Sequence, residues 1–147
     1  MHKADPNLAI ALDTDIAELG GWFVCDVTRS PTDGQQNKSG RGEIRAVRLS
    51  LRWYTSGRGD TDSKTVHEVE LDVDQYGMAK GRVEMPVPAK APISYDGDLM
   101  RVRWEIVAQT DLAMKIDQKS TADVLVVPVG GLGLYDRAHP LPYASLS

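Results

Sequence analysis

The chain has 147 residues, of which 41% are hydrophobic and 26% are charged, and its formal net charge is −4 at pH 7. This composition is typical of one soluble globular domain with its own core, and it excludes a disordered or collagen-like chain. The acidic balance argues against nucleic acid or an anionic membrane as the main partner. No apolar stretch approaches the roughly 20 residues that a membrane-spanning helix needs.

The single cysteine, Cys25, lies in a strand-like run and can form no internal disulfide. A reducing compartment is natural for such a chain. The apolar run at residues 8–12 is too short for a secretory signal and has acidic neighbours. We therefore expect a cytoplasmic protein in which Cys25 is a small buried apolar side chain.

Seven segments are predicted to be strands, and most of them alternate apolar and polar residues with the period of two that is typical of strands with one buried face. In chain order these predicted strands are residues 7–12, 22–28, 43–55, 65–73, 81–85, 95–110 and 121–129. Residues 16–21 are predicted to end in a turn at residues 19–21, and residues 29–42 and 56–63 are predicted to be polar loops. The pattern predicts an all-β fold, an immunoglobulin-like antiparallel β-sandwich of about seven strands.

The sequence also predicts how the chain is divided. Residues 1–129 are expected to form the single sandwich domain, and residues 130–147, rich in Gly and Pro, are expected to be a C-terminal tail.

The predicted strand at residues 95–110 has the clearest alternation and is expected to be central. One face carries Met100, Val102, Trp104, Ile106 and Ala108, and the other carries Arg101, Arg103, Glu105 and Gln109. The prolines at 86, 88 and 92 predict an extended, unpaired connector before it, because proline fixes φ and lacks a backbone donor. At residues 95–98 a turn is favoured, since Gly97 tolerates positive φ.

This region resembles the arrestin-like families, in which a short strand ends in prolines and a Ser-Tyr/Phe-x-Gly turn leads into a long strand. The residues that carry the resemblance are Pro88, Pro92, Tyr95, Gly97 and Trp104. It extends over residues 43–129 and implies an arrestin-like sandwich, of which family members usually have two in tandem. Members, including bacterial sporulation-control proteins, bind receptors, trafficking partners or regulatory proteins and are not enzymes.

Four arginines are candidate partner-binding residues on outward faces. Arg48, Arg52, Arg101 and Arg103 would form a basic stripe for carboxylates or phosphates if their strands share a sheet. The alternative is that nearby acids pair with these arginines. Those acids are Glu68, Glu70, Glu84 and Glu105.

Open sheet edges are the second candidate surface. Residues 8–12 or 121–129 are predicted edge strands, whose unpaired backbone groups invite strand addition or dimerisation. The tail, with Tyr135 and Tyr143, is expected to cover such an edge in its own chain or in a neighbour.

The expected function is a non-enzymatic protein-interaction or scaffolding module with no catalytic residues, metal or cofactor. Its partner would be a protein bound through an exposed edge, the loops or the tail. Two alternatives stay open. One is a small-ligand-binding or enzymatic domain with a cleft near Tyr95 and Trp104. The other is a homo-oligomeric structural protein, such as a homodimer held by the edge or the tail.

Overall fold

The computed structural model describes residues 3–4, 8–30, 44–57, 61–74, 78–97, 99–112 and 118–132. These residues form ten β-strands, so the predicted all-β class is confirmed. The strands are β1 (Lys3–Ala4), β2 (Leu8–Leu12), β3 (Ile16–Glu18), β4 (Trp22–Arg29), β5 (Ile44–Gly57), β6 (Ser63–Asp72), β7 (Ala79–Pro86), β8 (Tyr95–Asp96), β9 (Met100–Leu112) and β10 (Gln118–Val127).

Three strands are additional to the seven that the sequence predicts, and all are short. β1 and β8 have two residues each, and β3 has three. The turn predicted at residues 19–21 does follow β3, where the N–H of Gly21 donates to the carbonyl of Glu18 at 2.9 Å. The sequence did not predict β3 itself, which pairs in parallel with β10, more than 100 residues away. Residues 31–42 of the first predicted polar loop, residues 58–60 of the second and residues 133–147 of the tail lie outside the described residues.

The strands form two sheets that enclose one core. The large sheet has the order β1-β10-β9-β5-β6, with β3 added to β10 and β8 added to β9. The small sheet has the order β2-β4-β7. β9 is central, as predicted, because it pairs with β5 along one side and with β10 and β8 along the other.

The core confirms the predicted alternation. In the large sheet Val47, Leu49, Leu51, Val102, Trp104, Ile106 and Ala108 are buried, and in the small sheet Phe23, Cys25, Val27, Val83 and Met85 are buried. Each large apolar side chain of this kind stabilises the fold by about 1.5–3 kcal/mol. Met100, predicted to face the core, is instead 46% exposed, because it lies at the first position of β9.

Trp104 fixes the proline connector to the sandwich. Its indole nitrogen Nε1 donates a hydrogen bond to the carbonyl oxygen of Pro92 at 2.9 Å, and the side chain is only 1% exposed. The connector is not unpaired as predicted, since Val87 accepts from Gly20 at 3.1 Å and donates to Gly21 at 2.8 Å. The prolines direct the chain, and these bonds hold it against the turn after β3.

The predicted turn before β9 is present, but the reason given for its glycine is wrong. The N–H of Gly97 donates to the carbonyl of Met100 at 3.0 Å, which closes the turn between β8 and β9. Gly97 is not among the described glycines with positive φ. A Cβ atom at this position would lie 2.4 Å from Cε2 of Tyr95. Gly97 is therefore suited to the turn because it leaves space for the Tyr95 ring.

Candidate functional site

The four predicted arginines share the outer face of the large sheet. Arg48 and Arg52 are on β5, Arg101 and Arg103 are on β9, and these two strands are adjacent. The register places Arg52 opposite Glu105, so the outward residues of the two strands interleave on one surface. The structure thus brings together the set that the sequence singled out.

Arg48 lies within a group of acids. Its guanidinium is 3.6 Å from Glu70, 3.7 Å from Asp111 and 4.0 Å from Glu68. The predicted cross-strand pairing with Glu68 and Glu70 is confirmed for this arginine. Such half-exposed pairs contribute about 0–1 kcal/mol each, so they select the strand register more than they stabilise the fold.

Arg52 and Arg101 also have acidic partners. Arg52 is 3.5 Å from the carboxylate of Glu105 and lies over the ring of Tyr54, with 5.4 Å from its guanidinium carbon to the ring centroid. Arg101 is 2.8 Å from Asp96, its register neighbour on β8. Three of the four arginines are therefore neutralised by neighbours on the same face.

Arg103 differs from the other three. It is exposed, and it has no ion pair or hydrogen bond among the described residues. Glu84, which the sequence offered as a partner for the arginines, is wrong in that role because it lies on β7 in the small sheet.

A cleft of about 320 Å³ opens beside Arg103, and we call it the Arg103 cleft. It is lined by Ser94, Tyr95, Asp96, Val102, Arg103 and Leu125. The sequence predicted a cleft near Tyr95 and Trp104. Tyr95 does line it, but Trp104 does not, because its indole is buried and bonded to Pro92.

The Arg103 cleft lies where two strands diverge. The last register pair of β9 and β10 is Trp104 with Val124. Beyond it, Val126 donates to Oγ of Ser94 at 2.9 Å and accepts from the N–H of Ser94 at 2.8 Å. Ser94 thus satisfies the backbone of β10 where β9 no longer reaches it, and the gap between the strands becomes the cleft.

The open edges of the sheets are only partly those predicted. β2 is the outermost strand on one side of the small sheet, as predicted for residues 8–12. The prediction of an open edge at residues 121–129 is wrong, because β10 pairs with β9 on one side and with β1 and β3 on the other. Among the residues that the structure describes, the outermost strand of the large sheet opposite β1 is β6, and no described strand pairs with its second side. The sequence did not identify β6 as an edge.

Hydrogen-bond alternation shows which backbone groups β6 presents. In an antiparallel pair, successive residues direct their N–H and C=O groups to opposite sides. Leu125 donates to Asp15 at 2.7 Å, away from β9, so Val124 directs its groups to Trp104. Paired residues direct their backbone groups either both toward each other or both away. The direction found for Val124 therefore fixes the direction for each residue of β9 and then of β5.

The alternation reaches β6 at Val69. Leu49 directs its backbone groups to β6 and pairs with Val69 in the register. Glu68 and Glu70, on either side of Val69, therefore direct their N–H and C=O groups away from β5, to the open side. Val69 and Leu71 point to the core but are only partly buried, so the core is incompletely covered along this edge.

The small sheet has an ion cluster of its own. Arg82 on β7 donates to Asp26 on β4 at 3.0 Å and to Asp13, which follows β2. Its hydrogen bond to Asp13 raises the pKa of Arg82 above its ordinary value, so the guanidinium stays charged. The cluster joins three segments, and the sequence analysis did not find it because its members are far apart in the chain.

Other kinds of site are not seen in the part of the chain that the structure describes. No group of three His, Cys, Asp or Glu side chains could hold a metal ion there. Within the same residues, no helix is long and apolar enough to cross a membrane. Tyr135 and Tyr143 lie outside the described residues, so their role in partner binding stays a prediction.

Comparison with models of protein families and with curated protein sequences gave no match. Among solved structures, the chain is similar to the crystal structure of Spo0M, a sporulation control protein from Bacillus subtilis. The TM-score is 0.59 at 15% sequence identity, over 82% of this chain and 49% of that one. The chain thus spans about half the length of Spo0M. At this identity the likeness shows the fold, and the predicted resemblance to arrestin-like proteins is confirmed at that level.

Proposed function

We propose that this chain is a non-enzymatic protein-interaction module that binds an extended segment of a protein partner along β6. The observation that carries the proposal is the open side of this ten-residue strand, to which Glu68 and Glu70 direct their backbone groups. A partner strand would take up these hydrogen bonds and cover Val69 and Leu71, which are only partly buried.

The charges of β6 favour a foreign partner over a second copy of the chain. An antiparallel pair of two β6 strands centred on Val69 would place Glu68 opposite Glu70, and like charges in such positions are destabilising. A partner segment with lysine or arginine at these positions would instead form favourable cross-strand pairs. We therefore favour a protein partner with a basic extended segment over the homodimer.

The comparison supports a regulatory setting for this role. Spo0M is described as a sporulation control protein, and a control role suits a module that acts by binding a partner. For this chain we propose a cytoplasmic module with one sandwich domain at residues 1–129 and a tail at residues 130–147. The arginines of the outer face and the tail tyrosines would add contacts around the strand, with no cofactor.

The test is a proline substitution on the open side of β6. Glu70→Pro removes an N–H that faces away from β5 and leaves the bonds between β5 and β6 in place. Glu70→Ala is the matched control, since it removes the same carboxylate but keeps the N–H. Proteins captured from an extract of the source organism are quantified by mass spectrometry. They should bind the wild type and Glu70→Ala equally, and the amount bound to Glu70→Pro should be at least tenfold lower.

The opposite result is equally clear. If Glu70→Pro and Glu70→Ala retain the same proteins in the same amounts, strand addition at β6 is wrong. Thermal unfolding of both variants, followed by circular dichroism, shows whether each one is folded. Val69→Pro, which removes an N–H directed to β5, should unfold the strand and thereby check the assigned direction of the backbone groups.

A further inference from the structure

The Arg103 cleft is separate from β6, because β9 and β6 are divided by β5 in the large sheet. Its charge is set by two neighbouring arginines. Arg101 is paired with Asp96 at 2.8 Å, which neutralises the one carboxylate that the described residues contribute to the lining of the cleft. Arg103 has no such partner among the described residues. The cleft therefore has one unneutralised positive charge.

The rest of the cleft has an apolar character. Leu125 is 38% exposed and Tyr95 is 56% exposed, and both line the cleft together with Val102. Large apolar side chains on a surface are ordinary when they stand alone, but here they lie beside an unpaired guanidinium in one concavity. A complementary ligand has an apolar group and an anionic group close together.

We propose that the Arg103 cleft binds the C-terminal carboxylate of a polypeptide whose last residue is apolar. In such a residue the carboxylate and the side chain branch from one carbon atom, which matches a guanidinium beside an apolar wall. Arginine presents a planar pair of N–H donors that fits the two oxygens of a carboxylate. The apolar side chain would lie against Leu125 and Tyr95.

The size of the cleft agrees with this ligand. A volume of about 320 Å³ is at the lower end of the roughly 300–1,000 Å³ that small-molecule pockets occupy. It accommodates one terminal residue, and the remainder of the polypeptide would extend into solvent. An inorganic anion would leave the apolar wall of the cleft uncovered.

The probes are short Gly/Ser peptides that end in leucine, with a fluorescent label at the N-terminus and either a free acid or an amide at the C-terminus. Fluorescence anisotropy should show saturable binding of the free acid and at least tenfold weaker binding of the amide. Arg103→Gln should weaken binding of the free acid at least tenfold, and Leu125→Ser should weaken it severalfold. A peptide that ends in serine should also bind more weakly, since it lacks the apolar side chain.

Lys119→Gln is the matched control. Lys119 is a cation on β10 that lines a different concavity, with Arg52 and Glu105, so its loss should leave peptide binding unchanged. Glu70→Pro should also leave it unchanged, which separates this site from the one proposed at β6. Free 4-methylpentanoate has the same apolar group and carboxylate without a peptide, and it should bind more weakly than the peptide.

Three results would overturn the proposal. The first is equal binding of acid and amide, or an Arg103→Gln variant that binds as the wild type does. The second is the absence of saturable binding below about 1 mM for every peptide. The third is free 4-methylpentanoate binding as tightly as the peptide, because the ligand would then be a small carboxylate and not a polypeptide terminus.

Discussion

Replacing Trp104 by phenylalanine measures how strongly the proline connector is held. Trp104→Phe removes the N–H that donates to the carbonyl oxygen of Pro92 at 2.9 Å, and it leaves that part-buried carbonyl without this hydrogen bond. An unsatisfied buried acceptor costs about 1–3 kcal/mol. The smaller ring leaves a void of roughly 40 Å³, which adds about 1 kcal/mol at about 24 cal/mol per Å³. We expect the free energy of unfolding to fall by about 2–4 kcal/mol.

Urea denaturation followed by circular dichroism measures this change. With an m-value of about 2 kcal/mol per molar urea, the midpoint should fall by about 1–2 M. Trp53→Phe is the matched control, because Trp53 is the register neighbour of Trp104 and its indole has no hydrogen bond among the described residues. If both variants lose the same stability, the bond to Pro92 does not hold the connector and the reasoning is refuted.

Substitutions at three further positions test other parts of the structure. Gly97→Ala should lower the free energy of unfolding by less than about 1 kcal/mol, since the exposed Tyr95 ring can rotate away from the new methyl group. The displaced ring should weaken peptide binding at the Arg103 cleft, and an unchanged affinity would contradict this. Ser94→Ala removes the acceptor for Val126 and should cost about 1–2 kcal/mol in urea denaturation, whereas Ser94→Thr should keep most of the stability. Burial, followed by nearby carboxylates, raises the pKa of Cys25, so the unfolded thiol ionises first as the pH rises. The free energy of unfolding should therefore decrease above the ordinary thiol pKa, and Cys25→Ala should remove that part of the pH dependence.

The long strands could be predicted from the sequence because each has one face buried in the core and one face exposed to solvent. β5 and β9 alternate over most of their length, although Val107 is buried between Ile106 and Ala108. The predicted ends of β5 lie within two residues of the observed ones, whereas β9 begins five residues later than predicted. The pairing of Arg48 with Glu68 and Glu70 was also predictable, since opposite charges recur at the same spacing on consecutive strands.

The order of the strands could not be predicted in the same way. β10 alternates like an edge strand, yet β1 and β3 cover its second side, and strands of two or three residues have no periodicity to detect. The sequence of β6 has the pattern of any half-buried strand, although no described strand pairs with its second side. The sequence predicted the Arg103 cleft only in part. The cleft depends on where β9 and β10 diverge and on the ion pair that Asp96 forms with Arg101 rather than with Arg103.

The parallel pairing of β3 with β10 has a consequence for synthesis of the chain. About 100 residues separate these two strands, and at about 5–20 residues per second a ribosome needs roughly 5–20 seconds to make them. During this interval Ile16 and its neighbours have emerged without the strand that completes their hydrogen bonds. The large sheet therefore closes only after β10 has been made, and the nascent chain presents an unfinished edge until then.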